Sequence, residues 1–479
     1  MTIFSMKGGI FNGLRGKSLS LVLIILICVA VPLWYWEKTP LVTFLPQQNR
    51  LEIISPVILN DASAKNSTYL KEKEKGNVEE GFSNAGREKE HLIATVVETR
   101  SGQEEKGFQI APFGSVPASF PEERKGDDGL MTPPVEAKGC NYAKGKWIAD
   151  SRWPLYSGFD CKQWLSSMWA CRLTQRTDFD YEGFRWQPEN CEMRAFDGST
   201  FLKRMQDKTI ALVGDSLGRQ QFQSLMCMVT GGKDTPEVEN VGWKYGLVKA
   251  RGAIRPDGWA YLFPRTNTTI LFYWSASLCL LEPLNTADPA TNYAMHLDRP
   301  VAFLQHYLHT FDVLVLNTGH HWNRGKFLAN RWVMYVGGEP NKDKKLAMIM
   351  NARNFTVYSI AKWLDSQLPQ HPRLKAFFRT LSPRHFFNGD WNSGGSCNNS
   401  IPLVGGNTVS QDESRDPAVA GAVKGTRVKL LDITALSQLR DEGHMSRYSI
   451  KATVGIQDCL HWCLPGIPDT WNELLFAQL

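Results

Sequence analysis

The chain has 479 residues, a formal net charge of +6 and 21% charged residues. That length holds one large domain or two ordinary ones, and so mild a positive balance gives no argument for a nucleic-acid partner. Ten cysteines and sixteen tryptophans are the distinctive part of the composition, and their placement divides the chain.

Residues 1–18 carry Lys7, Arg15 and Lys17 and precede an apolar run, LSLVLIILICVAVPLWYW, over residues 19–36. A basic amino-side flank, a span near the lower length limit and a closing Trp34-Tyr35-Trp36 belt predict an uncleaved signal anchor with a short cytoplasmic tail. A cleaved signal peptide ending near Ala30 is the alternative. Either way the remainder enters the secretory pathway, and a short span suits the thinner ER or Golgi bilayer. Residues 37–138 are charged (KEKEKGNVEEG) and then rich in proline and glycine, without a cysteine after Cys28. Such composition buries too little apolar surface to offset chain entropy and predicts a flexible lumenal stalk.

From residue 139 to 479 cysteine and tryptophan become dense. In an oxidising compartment scattered cysteines predict disulfides, and of the nine here Cys279, closing the apolar run ILFYWSASLCL, is expected to stay free. A zinc site at Cys459, His461 and Cys463 is the alternative, weakened by the lack of a second ligand pair at finger-like spacing. Asn267, Asn354 and Asn398 head N-glycosylation sequons, as does Asn66 in the stalk. Residues 139–208 form a Cys/Trp-rich lobe expected to pack on the core. In 209–479, apolar runs at 209–213, 270–274, 313–316, 376–380 and 428–431 predict strands. Helical spacing follows Ser216 and recurs near 300–309 and 344–368. Strands alternating with helices predict an α/β body with a parallel sheet and flanking helices, its chemistry at the strands' carboxyl ends.

Two such ends carry TIALVGDSLGRQQF and LVLNTGHHW. Gly214 permits a tight turn, and Ser216 stands where a strand becomes a helix, beside unpaired main-chain N–H groups. That is a place for a nucleophile whose oxyanion the amides hold. It is also a place where Asp215 and Ser216 merely cap the helix. A serine nucleophile needs a base, and QDCLHWCLPG sets Asp458 three residues before His461. The order GDS…DxxH matches serine esterases of the GDSL, or SGNH, type.

These residues sit within longer blocks, CNYAKGKWIADSRWPLYSGFDCKQWLSSMWACRLTQRTDFDYEGFRWQPENC, GDSLGRQQFQSLMC, SPRHFFNGDWNSGGSC and DCLHWCLPGIPDTWNELL. In that order they resemble the plant trichome-birefringence-like family of wall-polysaccharide O-acetyltransferases, which are PC-esterase-like. The resemblance covers essentially all of 139–479. It implies an SGNH-hydrolase-like fold, with Ser216 as acyl-carrying nucleophile, His461 as general base and acid, and Asp458 as its orienter. Gly214 and Asn317 are implied at the oxyanion site, and Arg219 either binds an anionic or carbonyl group there or pairs with a carboxylate to hold the helix. Trp322 and Trp462 are read either as sugar-stacking surfaces or as core. Disulfides Cys140–Cys191, Cys161–Cys227, Cys171–Cys463 and Cys397–Cys459 follow from the family pattern. The implied protein is a single-pass type II Golgi membrane enzyme with a lumenal catalytic domain. It has no bound cofactor, acetyl-CoA or a derived carrier as acetyl donor, a wall polysaccharide (xylan, pectin or another hemicellulose) as acceptor, and other Golgi wall-synthesis proteins as partners. A polysaccharide acetylesterase with the same triad and a non-catalytic wall-polymer binding protein are the competing readings.

Overall fold

A computed structural model describes residues 140–251, 253, 255–450 and 456–479. The anticipated tail, anchor and stalk, with Cys28 and Asn66, lie outside the described residues. Among those described, no helix is long and apolar enough to cross a membrane.

The architecture grows from a seven-stranded sheet. Its strands are β1 (Thr209–Gly214), β2 (Glu239–Asn240), β3 (Gly258–Phe263), β4 (Thr268–Trp274), β5 (Val313–Leu316), β6 (Lys375–Arg379) and β7 (Lys429–Leu431), in the spatial order β7-β6-β5-β1-β4-β3-β2. The five strands anticipated from apolar runs are β1, β4, β5, β6 and β7, and each pairs with its neighbours in parallel. Strands β3 and β2 extend the sheet antiparallel beyond that expectation. A tight reversal joins β3 to β4, with Asn267 at φ 49°, a left-handed conformation that asparagine tolerates better than most residues. The apolar text on either side, GWAYLF and TTILFYW, is thus one hairpin.

Alternation along β1 explains why its sequence is continuously apolar. Ile210 and Leu212 join one buried cluster, Ala211 and Val213 the other, because successive side chains point to opposite faces and both faces are covered. The first face carries helix α1 (Ser216–Thr230) and helix α3 (Ile467–Gln478); the second carries α2 (Ile349–Gln367) through Val357, Ile360, Ala361 and Leu364. Helix α1 ends on Gly231 in the left-handed conformation, whose N–H returns to the Cys227 and Met228 carbonyls.

The Trp-rich lobe contributes to the first core. Strands Gly145–Ala149 and Phe184–Pro188 pair antiparallel, and Thr408–Val409 from far downstream adds a third strand. Trp147, Trp164, Trp169 and Trp186 are buried together with α1 and α3 in one cluster. Disulfides Cys140–Cys191, Cys161–Cys227, Cys171–Cys463 and Cys397–Cys459 tie these parts. Cys459 and Cys463 are therefore committed to sulfur partners, and among the described residues Cys279 is the free, buried thiol, its pKa pushed up to about 12 by burial. Of the sequon asparagines, Asn267 is exposed on a turn and Asn398 is exposed in irregular chain, whereas Asn354 lies half-buried within α2.

Candidate active site

Ser216 begins α1 directly after β1, at the carboxyl end of the sheet. Asp215 is the N-cap: its Oδ1 accepts from the Leu217 N–H at 3.0 Å and its carbonyl from Arg219 N–H. The capping role of this dipeptide falls to Asp215, and Ser216 stands on the helix's first turn. The Ser216 and Gly218 N–H groups precede the helix's own hydrogen-bond ladder.

The last strand, β8 (Asp458–Trp462), pairs antiparallel with His444–Ser446 and passes beside the start of α1. It carries both remaining members of the constellation. His461 Nε2 lies 2.8 Å from Ser216 Oγ, and His461 Nδ1 lies 2.9 Å from Asp458 Oδ2. Asp458 Oδ1 accepts the main-chain N–H groups of Leu460 and His461 at 3.2 and 2.9 Å. Burial works against the Asp458 charge, but the His461 imidazole and these N–H groups outweigh it and hold the carboxyl well below the usual carboxylate range. An ionised Asp458 holds the Nδ1–H tautomer, which leaves Nε2 to accept the Ser216 proton.

Asn317 follows β5 and is buried. Its Nδ2 donates to Asp215 Oδ1 at 2.6 Å, so one of its two amide protons is committed to the cap residue. Its Oδ1 packs against the glycines: a Cβ at Gly214 or Gly218 would fall 1.9 or 2.3 Å from that atom. Gly214 is the last residue of β1, and its carbonyl accepts from Ser275 N–H. Its contribution to the site is the space it leaves for Asn317. His320 and His321 help keep the buried Asp215 ionised against its burial, and burial depresses both imidazoles, His321 to about 4.

Arg219 lies one turn beyond Ser216, 8% exposed. It has no carboxylate partner among the described residues. Its guanidinium sits between two tryptophans instead, 5.0 Å from the Trp169 ring and 5.1 Å from the Trp259 ring. Burial and the nearby charge of Arg255 lower its pKa to about 10. Trp169 also stacks on His461, with centroids 5.6 Å apart. Trp322 and Trp462, the tryptophans read from sequence as sugar platforms or core, are core: they are 4% and 0% exposed. The partly exposed indoles near the site are Trp259 and Trp274, the latter edge-on to His321.

Two positioning features escaped sequence reasoning. Gln220, fully buried, donates from Nε2 to the Trp462 carbonyl at 2.6 Å and accepts Trp462 N–H on Oε1 at 3.1 Å. A side-chain amide thereby clamps the strand beside His461 to the helix that carries Ser216. The available signal was a glutamine four residues after Ser216, on the same helix face. His444, stacked on Trp462 at 3.9 Å, places Nδ1 3.1 Å from the His461 carbonyl and Nε2 2.7 Å from His385 Nδ1. No sequence spacing announces that pair.

Residues 193–478 match the family described as PC-Esterase, a GDSL/SGNH-like acyl-esterase family found in Pmr5 and Cas1p. Residues 138–192 match the PMR5 N-terminal domain, so the two matches meet just after Cys191, upstream of the expected division at 208/209. Among similar proteins of Arabidopsis thaliana, trichome birefringence-like 14 is 65% identical over 352 residues, covering 71% of this chain and 86% of the relative. Trichome birefringence-like 15 is 58% identical over 354 residues, 72% of each chain. Protein trichome birefringence is 29% identical over 354 residues, 71% of this chain and 56% of that protein. The chain belongs to the trichome birefringence-like family, with a PC-esterase domain behind a PMR5 N-terminal domain.

Proposed function

We propose that this protein is an O-acetyltransferase that moves an acetyl group through an acyl-Ser216 intermediate onto hydroxyls of a plant wall polysaccharide. The observation that carries this reading is the continuous bond path from Ser216 Oγ through His461 to Asp458. His461 Nε2 takes the Ser216 proton as Oγ attacks the carbonyl of an acetyl thioester, acetyl-CoA or a derived carrier. The resulting oxyanion is held by the Ser216 and Gly218 N–H groups and the second amide proton of Asn317. Collapse expels the thiolate, which receives the proton from His461. A sugar hydroxyl then gives its proton to His461 and attacks the acetyl-enzyme, and Ser216 recovers its proton as it leaves. The basic-flanked apolar run at 19–36 and the exposed sequons Asn267 and Asn398 support a Golgi-lumenal domain on a type II anchor.

The test supplies the purified chain with an acetyl thioester, with and without xylan, mannan, xyloglucan and pectin oligosaccharides. NMR then locates any new ester. Acceptor-dependent acetylation, lost in Ser216→Ala, is the expected result. Acetate release indifferent to every acceptor would overturn transfer in favour of the second reading, an acetylesterase. The acyl-esterase description of the matched family favours that reading. Water there replaces the sugar hydroxyl on the same acyl-serine.

A further inference from the structure

Beside the triad, and separated from it by the Trp169 ring, lies a cleft of about 260 Å³. Its walls include Gln163, Ser166, Arg219, Gln223, Trp259 and Tyr261. The volume is below that of sites for drug-sized ligands and suits a single sugar unit. Three properties of the lining point to one kind of occupant. First, none of the lining residues carries a carboxylate, and Arg219 brings a cation that is more than nine-tenths buried. Second, Arg219 has no carboxylate partner among the described residues: its Nε finds no acceptor and its guanidinium meets only indole faces. A buried charged donor is costly unless something pairs with it. Third, the remaining wall is aromatic. Trp259 and Tyr261 are partly exposed, the first stacked on Phe272 and the second held edge-on by Trp164 at 4.9 Å. Fixed aromatic faces of this kind pack against the apolar face of a pyranose ring.

We propose that this cleft is a subsite for a hexuronate unit of the acceptor chain, its carboxylate paired with Arg219 and its ring lying against Trp259. The inference rests on the reading of the chain as a polysaccharide-modifying enzyme and adds that the acceptor is acidic next to the hydroxyl that reacts. A planar carboxylate matches the guanidinium fork. A phosphate group is the poorer match, since no lysine lines the cleft and the free N–H groups of the helix N-terminus lie on the Ser216 side. Arg255 is near enough to weaken the Arg219 proton's hold, so a bound anion relieves repulsion between the two cations.

The test uses the full chain carrying Ser216→Ala, which binds acceptor without turnover. Calorimetry compares one uronate-containing oligosaccharide with its methyl ester, identical except for the charge. The acid is expected to bind about tenfold more tightly, and R219Q, checked for an unchanged melting temperature, should bind acid and ester alike. Trp259→Ala should weaken both ligands by the same factor. Equal affinity for acid and ester in the parent overturns the proposal. So does free coenzyme A competing at this site and losing its binding in R219Q, which would assign the cation to the donor phosphates. Failure of the acetyl-transfer reading leaves the acid-against-ester comparison fully readable, so the two can fall separately.

Discussion

Asp458 holds its own strand's N–H groups on Oδ1 and the imidazole on both oxygens, Oδ2 the nearer. The carboxylate therefore sets both the bend of the loop and the tautomer of His461. Asp458→Asn keeps the size and much of the loop but presents an N–H or a neutral oxygen to Nδ1. The expected result is a kcat roughly 10³- to 10⁴-fold lower at nearly unchanged KM, read in the acetyl-transfer assay. Gly214 and Gly218 are constrained as tightly by space as Asp458 is by charge. Gly214→Ala sets a methyl group 1.9 Å from Asn317 Oδ1 and 2.7 Å from the Asn317 main-chain oxygen. Asn317 must leave Asp215, and the variant should lose both activity and about 2 kcal/mol or more of stability by denaturant titration.

The strand β8 and the helix α1 form a two-part device, one bearing His461 and the other Ser216. Their alignment depends on the Gln220 clamp across Trp462 and on Cys171–Cys463, which anchors the residue after Trp462 to the tryptophan-rich lobe. Gln220→Leu keeps volume but leaves the Trp462 N–H and carbonyl buried and unpaired. A kcat reduced about tenfold or more, with the acceptor KM little changed, is the expected outcome in steady-state kinetics. The disulfide closes a separation of 292 residues. Replacing both cysteines with alanine should cost about 2–5 kcal/mol of stability and, through β8, a larger share of activity than the same change at Cys140 and Cys191. Through Cys171–Cys463 the lobe holds the strand that carries His461, and its own third strand comes from residues 408–409.

The interior of the whole molecule also carries a pH preference. Helix α3 buries Asp469 and Glu473 under the first core, and burial raises their pKa to about 7 and about 8. In the unfolded chain such carboxyls titrate near 4. The folded state therefore holds these protons more tightly: the groups favour folding fully below pH ~4, lose that contribution as pH climbs to about 8, and act as a constant penalty above it. Asp458 works in the opposite sense, losing its contribution only as pH falls below the carboxylate range. The buried His320 and His321, their pKa values depressed, act in the opposite sense as pH falls, so substitution is what isolates the carboxyls in the melting temperature. Glu473→Gln should raise it at pH 8 by about 2 °C or more while changing it little at pH 5.5. A Glu473→Gln variant whose melting temperature matches the parent's at both pH values would contradict the assignment of Glu473 as protonated in the native core.

Much of this was written locally. The five parallel strands were legible because a strand covered on both faces must be apolar throughout, as at 209–213. The GDS turn and the DxxH spacing were legible because strand-end glycines, caps and short histidine–carboxylate loops are local chemistry. The antiparallel extension β3–β2 was not, since β2 is only Glu239–Asn240, both exposed and without an apolar pattern of their own. Nor could spacing say that Trp322 and Trp462 are core while Trp259 faces a cleft, because exposure is a property of neighbours. The sequence by itself determined the strand–turn–helix that carries Ser216 and the loop that carries Asp458 and His461. Only the tertiary structure decided that these segments, 245 positions apart in the chain, meet within 2.8 Å. It also decided that Arg219 turns its unpaired charge to a cleft, since bringing distant surfaces together depends on the packing of the whole core and not on any local preference.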